Sequence, residues 1–344
     1  MQFQFSFKPG RRKAPQDLVA VDLATSGMKV VHLRKQGEMI TVMGADILPP
    51  VSILPTDDVV DAGARRLQLP KNLMAHYVAM CFTGERAIVR VVSLPGHIEP
   101  GQAAEQQIRE TLGLDAQYRI AFTSTQSSRG KAETKLLTVA VPEVDAQAVL
   151  SHVAVGAPAP YAMELSGLAA LNACLSGPGS QHAQEAVCVI ECGARVSFMA
   201  IFNKGALILA RKIDVGGESI AAHVQKQLGL DSETAQSILA EGAIDISQAV
   251  REVIDPFLRQ LTISRDFVER EENCRIKTAY ISGGMALSTY WTNEIKRATG
   301  MDVQSWNPFD QLTLAPGALP DRLEGQQPRF ASAIGAAMGV LRES

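Results

Sequence analysis

The feature that most constrains this chain is a strand–turn–strand segment that occurs twice, followed by a related glycine turn. Val19-Ala20-Val21-Asp22-Leu23-Ala24-Thr25-Ser26-Gly27-Met28-Lys29-Val30-Val31 stands near the start, and Val187-Cys188-Val189-Ile190-Glu191-Cys192-Gly193-Ala194-Arg195-Val196-Ser197-Phe198 in the middle. Each reads as an apolar strand, an acid, a tight turn with small or hydroxyl residues, and a second strand. Such a β-hairpin aims its turn amides at an anion and sets a carboxylate beside it to hold a cation. The third segment, Ala279-Tyr280-Ile281-Ser282-Gly283-Gly284-Met285-Ala286, reads as a strand running into a Gly-Gly turn and then a helix, where bare backbone admits a flat ligand. Two phosphate hairpins and one nucleoside turn, in that order, predict a nucleotide clamped between two similar halves.

A chain of 344 residues is long enough for two domains with separate cores. Its net charge of -3 lacks the basic field of a general nucleic-acid binder. No run of about twenty apolar residues is present and no secretory signal precedes the first strand, so no membrane span is expected. The five cysteines (Cys81, Cys174, Cys188, Cys192 and Cys274) form no C-x-x-C pair and read as buried thiols in a reducing compartment. The six histidines show no zinc spacing.

The N-terminus alternates apolar and polar residues over Met1 to Lys8, and Arg11, Arg12 and Lys13 complete a basic cluster. Two readings stand: an extra edge strand with a linker, or a peripheral membrane foot with aromatics at the interface and cations on anionic lipid. Strands are expected at 18–21, 28–33, 39–45, 77–82 and 87–92, with Gly84-Glu85 turning between the last two, and a helix at 59–67. Helix 101–112, strands 118–126 and 135–142 and helix 144–155 form a compact α-β-β-α run. A small-residue helix follows at 166–175, and Ser176-Gly177-Pro178-Gly179-Ser180 separates the halves. The second half restarts with strands at 186–191, 197–203 and 207–214. Helices are expected to begin at Gly216-Gly217-Glu218-Ser219, to cover 232–241 behind an Asp231-Ser232 cap, and to cover 245–270 with Pro256 inside. A last small-residue helix, 330–341, carries Gly335 and Gly339 four apart, which predicts close helix-on-helix packing.

These residues resemble the actin-like ATPase superfamily and, more narrowly, the PilM family of type IV pilus assembly. The family's first turn, Asp-Ile-Gly-Ser-Ser-Ser-Val-Lys, corresponds to Asp22-Leu23-Ala24-Thr25-Ser26-Gly27-Met28-Lys29. Its Arg-Asp-Ile-x-Ile-Gly-Gly-Asn corresponds to Arg211-Lys212-Ile213-Asp214-Val215-Gly216-Gly217-Glu218. Asn307-Pro308-Phe309 matches the Asn-Pro-Phe of the PilM tail, and Ala333-Ile334-Gly335-Ala336-Ala337 matches the closing helix. The resemblance runs from about residue 17 to residue 342. It implies an α/β actin-like fold of two lobes, each a duplicated mixed sheet flanked by helices. An arm covers 1–17, the first lobe 18–92 and 156–178, an inserted subdomain of the PilM and FtsA type 93–155, and the second lobe 179–344. The final helix is expected to return to the first lobe.

In such a fold ATP with magnesium lies between the hairpins. The resemblance implies that Ala24, Thr25, Ser26 and Gly27 meet the terminal phosphates, Lys29 neutralises charge, and Asp22 and Glu191 hold magnesium through water. Gly193, Ala194 and Arg195 form the second phosphate turn. Gly216, Gly217 and Glu218 flank the sugar, with Gln236 on the following helix, and Gly283, Gly284 and Met285 pack against base and α-phosphate. Glu164 is the candidate to orient an attacking water, with Asp22 as its catalytic companion. The departures from the family pattern fall at this same site. Ala24 replaces a glycine, so a turn needing positive φ is strained or reshaped. Glu191 replaces aspartate. Arg195 either clasps phosphate or fills its place. Met285 replaces the third glycine of the nucleoside turn. Gln236 and Leu239 replace the family's Glu and Lys. Together they predict weak or lost ATP binding, in which case Asp22 and Glu191 are turn-stabilising acids. Lys29 in an apolar strand requires an anion or an acid partner.

The function implied is a cytoplasmic scaffold at the inner face of the inner membrane in a type IV pilus-like or related secretion complex. Its partner is the N-terminal peptide of a PilN-like single-span protein, lying in a groove between the first lobe and the insert, with Arg90, Val92 and Leu94 as candidate wall. Self-association is compatible with the fold. The alternatives are an ATP-hydrolysing actin-like enzyme and an FtsA-like division protein; the latter ends in a membrane helix for which this sequence shows no counterpart.

Overall fold

Each hairpin becomes the centre of a sheet, and the two sheets repeat one another strand for strand. The computed structural model describes residues 5–6, 15–51, 66–96, 102–125, 133–153, 156–231, 234–235 and 247–342. The first lobe contains β1 (Phe5–Ser6), β2 (Asp17–Leu23), β3 (Met28–Gln36), β4 (Met39–Leu48) and β5 (Tyr77–Phe82). The insert contains β6 (Ile88–Pro95), α1 (Gln102–Leu112), β7 (Tyr118–Ser124), β8 (Glu133–Pro142) and α2 (Glu143–Ser151). The chain re-enters the first lobe as β9 (Ala159–Leu165) and α3 (Ser166–Ser176). The second lobe holds β10 (Ala186–Cys192), β11 (Ser197–Asn203), β12 (Ala206–Ile213), α4 (Gly217–Leu228), α5 (Ser247–Glu271), β13 (Ile276–Ser282), α6 (Thr289–Thr299) and β14 (Asp302–Ser305). Last come β15 (Thr313–Leu314) and α7 (Ala331–Leu341).

The first sheet runs β1-β9-β5-β2-β3-β4-β15 and the second β12-β11-β10-β13-β14. Reading outward from the hairpins, β4-β3-β2-β5-β9 matches β12-β11-β10-β13-β14. In both, the first three strands are antiparallel and the next two join in parallel. The central strands are covered on both faces, which is why Leu18 to Leu23 and Ala186 to Cys192 read as near-continuous apolar runs with one acid each. Between the lobes lie α3 and α7. A Cβ at Gly335 would fall 1.7 Å from the Ala169 carbonyl oxygen, so only glycine lets these helices cross so closely. At the N-terminus of α3, a Cβ on Gly167 would fall 2.4 Å from Phe198 of β11, which places this helix end directly against the second lobe.

Two elements differ from expectation. The strand after Gly84-Glu85 does not hairpin with β5. The turn forms, with the Ala87 amide donating to the Gly84 carbonyl at 2.9 Å, but β6 leaves the first sheet and becomes an edge of the insert's sheet, β6-β8-β7. Strand β9 is additional: Pro158 and Pro160 argue against a strand, yet the apolar run behind them pairs with β5 on one side and β1 on the other. The helix expected at 59–67 falls mostly outside the described residues, and Leu67 itself is buried in a non-helical stretch. Most of the helix expected at 232–241 also lies outside them, although Asp231 Oδ1 accepts from the Thr234 amide at 2.9 Å, as an N-cap does. At the N-terminus, β1 is the expected edge strand, and the basic cluster at 8–13 lies outside the described residues.

Candidate functional site

The three glycine turns face one space between the lobes. Asp22 and Lys29 come from the first hairpin, Glu191 and Gly193 from the second, and Gly283 from the third turn. The strand ends fix this arrangement, since Asp22 and Glu191 each stand near the C-terminal end of a fully covered central strand. The Asp22 carboxylate accepts from Ser166 Oγ at 2.7 Å, and Lys29 Nζ lies 4.0 Å from it. Lys29 Nζ donates to Ser26 Oγ at 3.2 Å. Burial lowers the affinity of Lys29 for its proton, and neighbouring Asp22 offsets part of that. Burial pushes the Glu191 carboxyl up to about 8, and the charge of Asp22 adds to the shift. Arg329, from the segment leading into α7, donates through Nη2 to the Ser26 carbonyl at 2.8 Å.

The turns hold one another. Ala24 keeps an ordinary φ: the Gly27 amide donates to the Ala24 carbonyl at 3.2 Å, and Gly27 alone of this turn takes a positive φ, +113°. The alanine therefore carries no positive-φ strain here. The N-terminal amides of α4 point into the second hairpin. Gly217 donates to the Gly193 carbonyl at 3.1 Å and Glu218 to the Ala194 carbonyl at 2.7 Å. The Gly283 amide donates to the Pro328 carbonyl at 3.0 Å. Met285 lies against Gly217, its sulfur 2.9 Å from where a Cβ would sit. Gly216 could carry no side chain at all, because its Cβ would fall 2.4 Å from the Ala194 oxygen.

Side chains then cross the cleft. Thr25 Oγ1 donates to Glu218 Oε1 at 2.5 Å. Arg195 Nε donates to Glu218 Oε2 at 2.9 Å, and its Nη1 to Glu85 Oε1 at 2.8 Å. Lys212 Nζ donates to the Glu85 carbonyl. The space left between the turns is about 30 Å³, room for a water or two. Small-molecule pockets run to roughly 300–1,000 Å³. The Gly193 and Gly283 amides donate to carbonyls of the protein, the Thr25 hydroxyl and the Arg195 guanidinium meet carboxylates, and Met285 lies against Gly217. Among the described residues, the protein's own groups stand where contacts to phosphate were expected.

Glu164 does not line the space. It is buried at the end of β9, where Oε1 accepts from Asn172 Nδ2 at 3.0 Å. The residue that reaches Asp22 from that side is Ser166, which sequence reasoning missed; its only signal was its place at the start of the small-residue helix. Glu85 and Arg329 were also missed, since each meets the cleft from a distant part of the chain. Gln236 lies outside the described residues.

A second concavity of about 650 Å³ opens between β6 and β12, each the edge of its sheet. Arg90, Lys135 and Arg211 line it together with Ile208 and the half-exposed Phe267 of α5. It lies between the insert and the second lobe, not between the first lobe and the insert where the peptide groove was expected. Of the three expected wall residues, Arg90 faces this groove. Val92 and Leu94 are instead buried in the insert's core with Ala104, Ile108 and Leu136, although they share Arg90's parity along the strand; the burial of β6 does not follow a simple alternation.

The profile of the type IV pilus assembly protein PilM family matches residues 147–341, more than half of the chain. Among solved structures, the chain is similar to one described as a PilM–PilN type IV pilus biogenesis complex, with a TM-score of 0.79 and 17% identity over 95% of this chain and 99% of that one. It is more distantly similar to the ethanolamine utilization protein EutJ from Carboxydothermus hydrogenoformans, at 0.48 and 16% over 95% and 91%. A protein of Bacteroides thetaiotaomicron described as having an actin-like ATPase fold and unknown function matches at 0.43 and 10% over 92% and 99%. The chain has the actin-like ATPase fold and belongs to the PilM family of type IV pilus assembly proteins.

Proposed function

We propose that this chain is an actin-like scaffold of a type IV pilus-like inner-membrane complex, that it binds the cytoplasmic N-terminal peptide of a PilN-like protein, and that it does so without a bound nucleotide. Family membership supports the assembly role. The similar structure of a PilM–PilN complex supports the choice of partner. The observation that carries the reading is the contrast between two concavities: the cleft expected to hold ATP is filled by the protein's own groups, while the groove beside β6 is open. Among the described residues, β6 and β12 are edge strands, and an extended peptide could add to one of them. Ile208 and Phe267 supply apolar contacts for alternate side chains of such a peptide. No described helix is long and apolar enough to cross a membrane, and in this reading the partner supplies the span.

The test is fluorescence anisotropy with a labelled synthetic peptide of about a dozen residues from the N-terminus of a PilN-like protein of the same source. Saturable binding is expected, weakened about tenfold (about 1.4 kcal/mol) by Arg90→Glu or Ile208→Asp. Absence of saturable binding, or binding untouched by both variants, contradicts the reading.

A further inference from the structure

We infer that the interlobe site carries an internal ligand, the carboxylate of Glu218, and that the chain Thr25–Glu218–Arg195–Glu85 is a clasp holding the lobes closed in place of a nucleotide. The inference rests on the reading that the cleft binds no nucleotide.

The geometry shows how each group is used. Glu218 stands in the first turn of α4, where the helix dipole favours an acid. Its two oxygens face opposite ways: Oε1 accepts from the first hairpin's Thr25 and Oε2 from the second hairpin's Arg195. An anion accepting from both hairpin turns at once is what a terminal phosphate would be, and here a side chain of the second lobe provides it. Arg195 continues the chain. Its Nε holds Glu218, and its Nη1 holds Glu85 in the turn joining the first lobe to the insert. The clasp thus ties together both hairpins and the entry to the insert. Beneath it, the 327–330 segment makes a second crossing, accepting from Gly283 through Pro328 and donating to Ser26 through Arg329.

The clasp's members remain a third to a half exposed, so each ion pair alone is weak and screened by salt. They act on opening at the cleft, not on folding: none of them belongs to an apolar core, and one of those cores runs from the first lobe through α3 and α7 into β10 and β11. Opening is therefore a local event, visible as exchange of the turn amides with solvent.

Hydrogen–deuterium exchange of the intact protein tests this over residues 24–29 and 193–196, with Glu218→Ala and Arg195→Ala as opening variants and Arg275→Ala, which removes an exposed pair elsewhere in the second lobe, as control. Exchange in both segments is expected to accelerate about two- to fivefold in each opening variant and to stay unchanged in the control. Addition of millimolar magnesium ATP to the wild type is expected to change nothing. If ATP protects these segments in the wild type, the nucleotide-free reading fails and the clasp with it. If ATP has no effect and the opening variants exchange like wild type, the clasp alone is overturned.

Discussion

The two hairpins of this protein share a backbone and differ in their charges. On the first, Asp22 sits across from Lys29 on β3 and beside Cys81 on β5. On the second, Glu191 sits across from Phe198 on β11 and beside Ser282 on β13. The acid is kept at the equivalent position; its cation is not. Asp22 has an ammonium and a hydroxyl within its own lobe. Glu191 faces an aromatic ring, and burial drives it toward the neutral form. Phe198 in turn forms the seat of Gly167, so the second hairpin gives up an ion pair and gains an interlobe packing contact. The duplication conserves strand order and turn shape because apolar strands determine those. The charges follow whatever each turn meets across the cleft.

Three changes probe the contrast. Lys29→Met removes the cation from the buried pair and leaves Asp22 in an apolar site with Ser166. The expected loss is about 3–5 kcal/mol in a urea unfolding titration; a loss below about 1 kcal/mol would show that the first hairpin does not depend on its ion pair. Glu191→Gln at pH 7 is expected to cost under about 1 kcal/mol, because the wild-type carboxyl is already held neutral. The pH dependence sharpens this. The folded carboxyl binds its proton more tightly than the unfolded one, whose ordinary value is 4.5. Its contribution is therefore fully present below about 4.5 and is lost as pH rises toward 8. Wild-type stability should decline across that window more steeply than that of Glu191→Gln, and parallel curves would refute the assignment. The smallest effect concerns thiols. Cys81 beside Asp22 and Cys192 beneath Glu191 are both buried and pushed up, Cys192 to about 12, so a thiol reagent should leave both unmodified in the native protein. Rapid labelling of either would mean that its strand end is open.

Much of this was legible in the sequence. The hairpins, the third turn and the small-residue final helix were readable because each couples an apolar period to a residue type that only one geometry tolerates, as Gly27 and Gly335 do. The departures at Ala24, Arg195 and Met285 were visible too, and each has a physical form: an alanine at an ordinary φ, an arginine committed to two carboxylates, and a thioether against Gly217. Other features lay beyond local reading. The composition of Ile88 to Pro95 announces a strand but not which sheet it joins. Glu85, Glu218 and Arg329 look like surface charges until the chain brings them to hairpins far away in sequence. Ser166 is ordinary as a helix start and acquires meaning only beside Asp22, 144 residues away.

The most direct measurement is isothermal calorimetry of magnesium ATP against the intact protein. If, as proposed, Glu218, Arg195 and Arg329 take the place of a nucleotide, no saturable heat is expected up to about 1 mM ligand, an affinity weaker than about 4 kcal/mol. Stoichiometric binding in the micromolar range, abolished by Asp22→Ala, would contradict it.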